Sequence, residues 1–383
     1  MLEKIILNNF TTFINDTEID FSATNYKFLE SDNVGSNRIL KGVLFVGENA
    51  SGKTQILKAI TLFLELLFSN NDINYLYNKS FYTHKDTYSI KYYFNVNNNK
   101  IIYEIELSIN KIVSEKLIYN DKIIINRINN SAEFNYNDKK VIDNLPDKLL
   151  VLRRIYFDTR FYDDEILNKW FNYLKNSVYI NCYTRQIFNF NNSNLLLNDY
   201  LDNVGTDEIN EFFKKINYNQ TITYESKTSN NEIMSVITSD NSKFVSFVKD
   251  DTNIYIPEIF ESTGNKTLLN LIPVLMHAIK NDCMIILDEF SSGFHNELEE
   301  CLIKYFYHYS SNSQMFFTSH STNILNNAII RPDQVYSVSF KGRSGSVLKR
   351  FSDEMPREAQ NTEKMYLNGV FDGMPRYNKV FKD

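Results

Sequence analysis

Cysteine is scarce in this chain of 383 residues: Cys182, Cys283 and Cys301 are the three, with no C-x-x-C and no pairing pattern. That excludes a disulfide framework and a structural zinc site, and it fits a reducing compartment. The five histidines show no metal-ligand spacing, which argues further against zinc. Positive charge is in deficit, with 41 Lys and Arg against 47 Asp and Glu and a net charge of −6. A surface coated with positive charge for duplex binding is thereby disfavoured, although a local basic groove is not. No run reaches the roughly 18 apolar residues that span a bilayer. The opening MLEKIILNNF lacks the charged n-region and long apolar stretch of a signal peptide. The expectation is a cytoplasmic protein with no membrane partner. Internal repeats, heptad arrays and low-complexity linkers are absent from the sequence too.

Against these absences stands ample core material, 43% apolar and 14% aromatic, in a length that suits two or three domains. Residues 1–22 alternate (Ile5, Leu7, Phe10, Phe13, Ile19, Phe21), which predicts two short strands joined near Asn15-Asp16. The stretch 30–38 is polar and reads as an exposed loop. Residues 87–130 hold β-rich runs between Asn-rich turns, an antiparallel meander forming a wing of a larger sheet. From about 143 to 215 the pattern is mostly helical, with segments at 145–152, 165–174 and 208–216, and it carries Arg153, Arg154, Arg160 and Arg185. Short strands return at 219–256. From 257 to 340 helices (267–280, 296–309, 321–328) alternate with strands (283–288, 314–319, 334–340), a run of parallel α/β units.

The stretch LFVGENASGKTQILKAI, Leu44–Ile60, concentrates the chemistry. Leu44, Phe45 and Val46 read as the end of a buried strand, and Ile56, Leu57, Ile60, Phe63 and Leu67 recur at helical spacing; Ser69–Asp72 would end that helix. Between them Gly47-Glu48-Asn49-Ala50-Ser51-Gly52-Lys53-Thr54 fits G-x-x-x-x-G-K-[ST]. Gly47 and Gly52 let the backbone curl so that N–H groups, including those of Asn49, Ser51 and Gln55, form a concave anion site at a helix start. Lys53 would reach the β- and γ-phosphates and the Thr54 hydroxyl would ligate Mg²⁺. The plain alternative is a Gly-rich helix start without a ligand.

A second apolar strand, CMIILDEF (Cys283–Phe290), ends in two carboxylates. Strand alternation would point Asp288 and Glu289 to opposite sides and give them different tasks. Asp288 would hold Mg²⁺, directly or through water, and Glu289 would orient or deprotonate an attacking water. The alternative is two acids capping a strand.

More than 200 residues separate Thr54 from Asp288. Such an insertion resembles the ABC-type ATPases of the SMC and RecF class. That resemblance implies a signature at a helix start before the carboxylate strand. FESTGNKTLLNLIPVL, Phe260–Leu275, is similar to it, with Ser262, Gly264 and Lys266 in place and Asn265 where many members have Thr. In that class the signature of one subunit closes over the γ-phosphate held by the other, so ATP joins a dimer. SSGFHNEL (Ser291–Leu298) resembles the D-loop region, with His295 and with Asn296 in place of Pro. Thr318-Ser319-His320, at the end of QMFFTSHSTNIL, resembles the switch histidine that contacts the γ-phosphate. A plain Ser N-cap at Ser262 and ordinary surface histidines are the alternatives.

The tail REAQNTEKMYLNGVFDGMP, Arg357–Pro375, and the block EIELSINKIVSEKLIYND resemble bacterial AAA-annotated ATPases of abortive-infection systems and of restriction loci, distant cousins of the OLD, Septu and PARIS ATPases; Asp372 replaces the first Gly of their Phe-Gly pair. The resemblance implies an α/β P-loop NTPase with an ABC/SMC-like head, a mixed sheet with an antiparallel wing, and a helical insertion. The N-terminal lobe would span 1–142, the insertion 143–218 and the C-terminal lobe 219–383. ATP and Mg²⁺ are the implied cofactors. A homodimer, or a larger oligomer of dimers, is the implied assembly. The implied partner is a separately encoded effector such as a TOPRIM-type nuclease, because no TOPRIM acidic cluster follows residue 340. A RecF-like DNA clamp and a nucleotide-dependent scaffold with negligible turnover remain open, as does nucleic acid as a ligand. The lack of an Asn-Lys-x-Asp motif favours ATP over GTP.

Overall fold

The computed structural model describes residues 1–69, 78–136, 139–159, 161, 164–191, 195–226, 243–249, 252 and 254–374. Asn70, Asn71, Asp72, Arg160 and Pro375 lie outside them.

Parallel pairing dominates the middle of the molecule. The phosphate-loop strand, Gly42–Gly47, lies between the switch strand, Gln314–Thr318, and Val335–Phe340. The carboxylate strand, Met284–Asp288, flanks the switch strand on its other side, and Val178–Asn181 flanks the carboxylate strand in turn. All five run parallel, and the antiparallel strands Gln186–Asn189 and Ser346–Arg350 close the two edges of this seven-stranded sheet. Every residue of Gly42–Gly47 is buried because both faces are covered. Val43 and Phe45 enter one core with the Lys53–Phe68 helix, while Leu44 and Val46 enter another with the Thr263–Lys280 and Asn296–Tyr309 helices.

A second sheet of eight antiparallel strands follows the expected wing, with six meander strands between Tyr88 and Ile142 added to the N-terminal hairpin Leu2–Asn8 and Thr17–Asp20. The Lys53–Phe68 helix is held between the two sheets. Phe63 stacks on Tyr92 and Tyr103 of the meander at 4.7 and 4.6 Å, and Trp170 of the Glu165–Lys175 helix is fully buried beside it. A third sheet joins Gln220–Ser226, Lys243–Lys249 and Tyr255–Pro257. Among the described residues no helix is long and apolar enough to cross a membrane.

Local expectations fail where a buried polar group overrides periodicity. The helix expected at 145–152 instead spans Val151–Thr159, because the buried Glu115 carboxylate accepts the N–H groups of Val151 and Leu152 at 2.7 and 2.8 Å. Arg127 meanwhile holds the carbonyls of Pro146 and Leu149 on either side of a turn at 147–148. The polar stretch 30–38 contains a short helix, Glu30–Asn33, and Asn33 is buried on Gln334 and the Ile329 carbonyl. No helix forms at 321–328; that segment is turns, tied by Asn326 and Asn327 side chains. The helix expected from 267 begins four residues earlier, at Thr263, on its Ser262 cap.

Gln314 joins the layers. Its Oε1 accepts from Leu2 N and from Tyr173 Oη at 2.6 Å each, and its Nε2 donates to the carbonyls of Leu2 and Leu40 at 2.9 and 3.1 Å. Gln314→Leu leaves these buried partners unpaired, each costing about 1–3 kcal/mol. A loss of at least about 3 kcal/mol is therefore expected in urea unfolding, and an unchanged midpoint would remove Gln314 from this role.

Candidate functional site

The C-terminal ends of the parallel strands gather the residues singled out in the sequence, at the edge where open α/β sheets bind ligands. Gly47 ends its strand, and the chain re-enters a helix at Lys53. Gly52 caps that helix at φ 111°, and a Cβ there would lie 2.6 Å from Ser346 Oγ and 2.7 Å from Thr12 Oγ1, so the position demands glycine. Ser346 Oγ donates to the Ser51 carbonyl at 2.5 Å, and Ser346 N donates to the Thr12 carbonyl. The loop is thus braced from behind by two remote segments. Asn49 is exposed at its tip and Gln55 is half-buried on the first helical turn.

Lys53 is buried and its Nζ donates to the carbonyls of Gly47 and Glu48, both at 2.8 Å. Burial holds its pKa below that of an ordinary lysine, while Asp288, Glu289 and Glu48 pull it back up. Beside it, Thr54 Oγ1 donates to Asp288 Oδ1 at 3.2 Å, and Thr318 Oγ1 donates to the same oxygen at 2.7 Å. Thr318 Oγ1 in turn accepts from Glu289 N at 2.9 Å. Thr318 belongs to the quoted strand end but was not singled out; its signal was a hydroxyl at the tip of a strand adjacent to the carboxylates.

Simple alternation does not set Asp288 against Glu289. The strand stops at Asp288, which is 3% exposed, and Glu289 turns into the left-handed region at φ 54°. The Thr318 contact fixes that turn, and the half-buried Glu289 side chain leaves from a bend rather than a pleat. His320 is exposed at the end of the next strand, with its N–H donating to Ser291 Oγ at 3.2 Å. Partial burial and then the Lys53 charge lower its pKa, opposed by Glu289 and Asp288.

The signature residues lie elsewhere. Ser262 caps the Thr263–Lys280 helix, accepting from Asn265 N at 3.2 Å, and Lys266 Nζ donates to the Ile259 carbonyl at 2.8 Å. A Cβ on Gly264 would lie 2.2 Å from the Gly293 carbonyl, so the signature and the turn after the carboxylates pack backbone to backbone. Asn265 accepts from Tyr218 Oη at 2.5 Å. Tyr218, Ser262, Gly264 and Asn265 border an open cleft of about 610 Å³, which Gly293 and His295 also line. His295 caps the next helix, its Nδ1 accepting from Glu297 N. No hydrogen bond among the described residues joins the signature to the phosphate loop.

The cluster at Lys53 fits a nucleotide with its metal. Ser51 Oγ is buried in the loop without a hydrogen-bond partner, an acceptor or donor held ready at no other group's expense. The buried ammonium of Lys53 hydrogen-bonds the carbonyls of Gly47 and Glu48 with three carboxylates nearby. Thr54 and Asp288 offer hydroxyl and carboxylate oxygens, the hard donors that Mg²⁺ takes.

Lys53→Ala removes the cation, and a loss of at least about tenfold in ATP affinity is expected by fluorescent-nucleotide titration; unchanged affinity would refute the assignment. Glu299, 1% exposed, gives a pH test. Burial raises its carboxyl from the ordinary 4.5 to about 7, opposed by a Ser321 hydrogen bond and aided by Glu300. The folded state therefore binds more protons than the unfolded chain between those values, so this contribution weakens stability as pH rises from about 4.5 through about 7. Glu299→Gln is expected to flatten that decline in thermal melts at pH 5 and pH 8, and an identical decline in both proteins would contradict it.

Residues 43–326 match the family model described as "AAA domain, putative AbiEii toxin, Type IV TA system". No curated protein matches the chain. Among the solved structures that share its fold are two SMC heads. An SMC head bound to the C-winged helix domain of ScpA is 14% identical at TM-score 0.52, covering 92% of this chain and 99% of that one. The SMC head of Pyrococcus furiosus, with an extended coiled coil and the C-terminal domain of ScpA, is 13% identical at TM-score 0.51, covering 92% and 97%. With its phosphate loop, carboxylate strand and mixed sheet in these positions, the chain belongs to this AAA-domain family and has the fold of an SMC ATPase head.

Proposed function

We propose that this protein binds and hydrolyses ATP as a homodimer in the cytoplasm and uses the cycle to control a separately encoded effector, a nuclease or toxin, in antiphage defence of the abortive-infection type. The observation that carries the ATPase reading is the hydrogen-bonded group Thr54, Asp288 and Thr318 beside Lys53 and Glu289. In this reading Lys53 and the loop N–H groups hold the β- and γ-phosphates. Thr54 and Asp288 would hold Mg²⁺, which supplies charge neutralisation between phosphate oxygens. Glu289 takes the proton of the attacking water as the bond to the leaving ADP oxygen breaks, and His320 contacts the γ-phosphate. Ser262, Gly264 and Lys266 stand apart from the phosphate loop, which suits a signature that acts on the nucleotide of a second copy. In this reading lobes 1–142 and 219–383 form most of the head, and the insertion 143–218 adds the strands Val178–Asn181 and Gln186–Asn189 to its central sheet.

The defence role is supported by the family description, which names a toxin of a toxin–antitoxin system, and by the tail resemblance to abortive-infection ATPases. The second reading, a RecF-like clamp on DNA, is favoured by the likeness to SMC heads; the net charge of −6 gives it no help.

Glu289→Gln is expected to bind ATP, lose roughly 10²–10⁴ in turnover, and accumulate as a dimer by light scattering; wild-type turnover would sink the base assignment. Ser262→Arg is expected to keep ATP binding and lose both dimer and turnover, and surviving turnover would refute the signature. The Glu289→Gln protein, tagged and recovered with ATP from cells carrying its neighbouring genes, decides between the readings. A stoichiometric nuclease or toxin supports the defence role, whereas DNA without a protein partner transfers support to the clamp.

A further inference from the structure

The segment following the switch strand is gripped by the C-terminal segment. His320 is followed by two hydroxyl residues, Ser321 and Thr322, and the second meets a glutamate. Ser321 N donates to Ser319 Oγ at 2.9 Å. Thr322 Oγ1 donates to Glu363 Oε1 at 2.7 Å. Glu363 lies in the first turn of the short C-terminal helix Thr362–Leu367, whose Asn361 cap accepts from Lys364 N.

That helix is itself fastened. Thr362 Oγ1 donates to Asn327 Oδ1 at 2.5 Å, and Asn327 Nδ2 donates to the carbonyls of Glu358 and Gln360 at 2.8 and 2.9 Å. Beyond it Phe371 stacks on Phe351 at 3.8 Å, and the Phe371 carbonyl accepts from Ser337 Oγ. Tyr366 is buried, donates to the Gly373 carbonyl at 3.2 Å, and has its hydroxyl pushed up to about 12 by burial, then by the charge of Glu48 in the phosphate loop. The C-terminal segment therefore packs beside the site on two flanks: a Cβ on Gly373 would meet Val338, the register partner of Gly47, and Glu363 holds Thr322 behind the switch strand. Because residues 321–328 form turns and not a helix, no local backbone ladder holds His320 in place. Ser291 Oγ accepts the His320 backbone N–H at 3.2 Å, and the Thr322–Glu363 bond restrains the turn behind it.

We propose that Glu363 is a positioning residue for His320: through Thr322 it fixes the turn behind the switch histidine, which makes the C-terminal segment part of the hydrolytic apparatus. The effect on turnover rests on the ATPase reading above; the effect on the imidazole does not. Each of Glu363→Ala and Thr322→Val is expected to lower kcat roughly tenfold with ATP affinity unchanged, because a small misplacement acts on the chemical step alone. The double variant is expected to be no worse than either single one, since both break the same contact. Glu363→Gln, which keeps an acceptor oxygen, is expected to restore most of the rate. Effects that multiply in the double variant, or a Glu363→Ala rate equal to wild type, overturn the proposal.

Histidine-labelled NMR of the full chain reads the position without turnover. The His320 ring resonance, assigned by its absence from His320→Gln, is expected to move in Glu363→Ala and Thr322→Val and to return in Glu363→Gln. An unmoved resonance overturns the proposal. A wild-type protein that binds ATP without hydrolysing it, combined with a moved resonance, removes the ATPase reading and leaves the positioning role standing.

Discussion

One pairing sets the rest of the molecule: the parallel register of the switch strand between the phosphate-loop strand and the carboxylate strand. Thr318 pairs with Phe45 on one side, and Leu287 pairs with Phe317 on the other. This register places the ends of three strands from remote parts of the chain at one edge of the sheet. Thr54 and Asp288, 234 positions apart, then meet through a single carboxylate oxygen. Hydrogen bonds at that edge are geometrically demanding, so a slip of one residue would turn Asp288 into the core and break the contact. The continuous burial of the central strands makes such a slip costly, because each face is packed against its own set of helices.

The helix that follows the phosphate loop transmits this constraint outwards. It is apolar on nearly every side because it lies between two sheets, and its aromatic contacts with the meander lock the wing to the core. Buried polar groups do the remaining fastening. Gln314 ties the first strand to the switch strand, Glu115 starts a helix, and Arg331 pairs with Asp333 at full burial. Each is placed where two elements cross and a backbone group would otherwise be stranded. The candidate site obeys the same logic, with Thr318 satisfying Asp288 and the Glu289 N–H together.

Much of this was legible in the residues. The phosphate loop, the carboxylate strand and the meander have strong local signals: glycines and a lysine at fixed offsets, an apolar run ending in acids, and alternation between Asn-rich turns. The failures share a cause. Residues 321–328 have helical spacing, but Thr322, Asn326 and Asn327 find partners in the C-terminal segment and in local turns. Residues 145–150 stay out of the helix because Arg127 holds the carbonyls of Pro146 and Leu149 around a turn. Within the helical stretch, Val178–Asn181 became a strand of the central sheet, since the carboxylate strand offered it an open edge.

The sequence by itself determined the chemical vocabulary: which groups could hold phosphate, which could ligate a hard cation, and most of the runs with strong local periodicity. These follow from side-chain type and short-range spacing, which act before any distant contact exists. Tertiary structure alone decided which groups meet. It chose Thr318 as the bridge between Asp288 and Glu289, bent Glu289 out of the strand, set Ser262 and Gly264 on a cleft with His295, and brought Glu363 to the segment behind His320. Those outcomes depend on register and burial across more than 200 positions, and no local pattern encodes the distance between two residues that the chain joins only by folding.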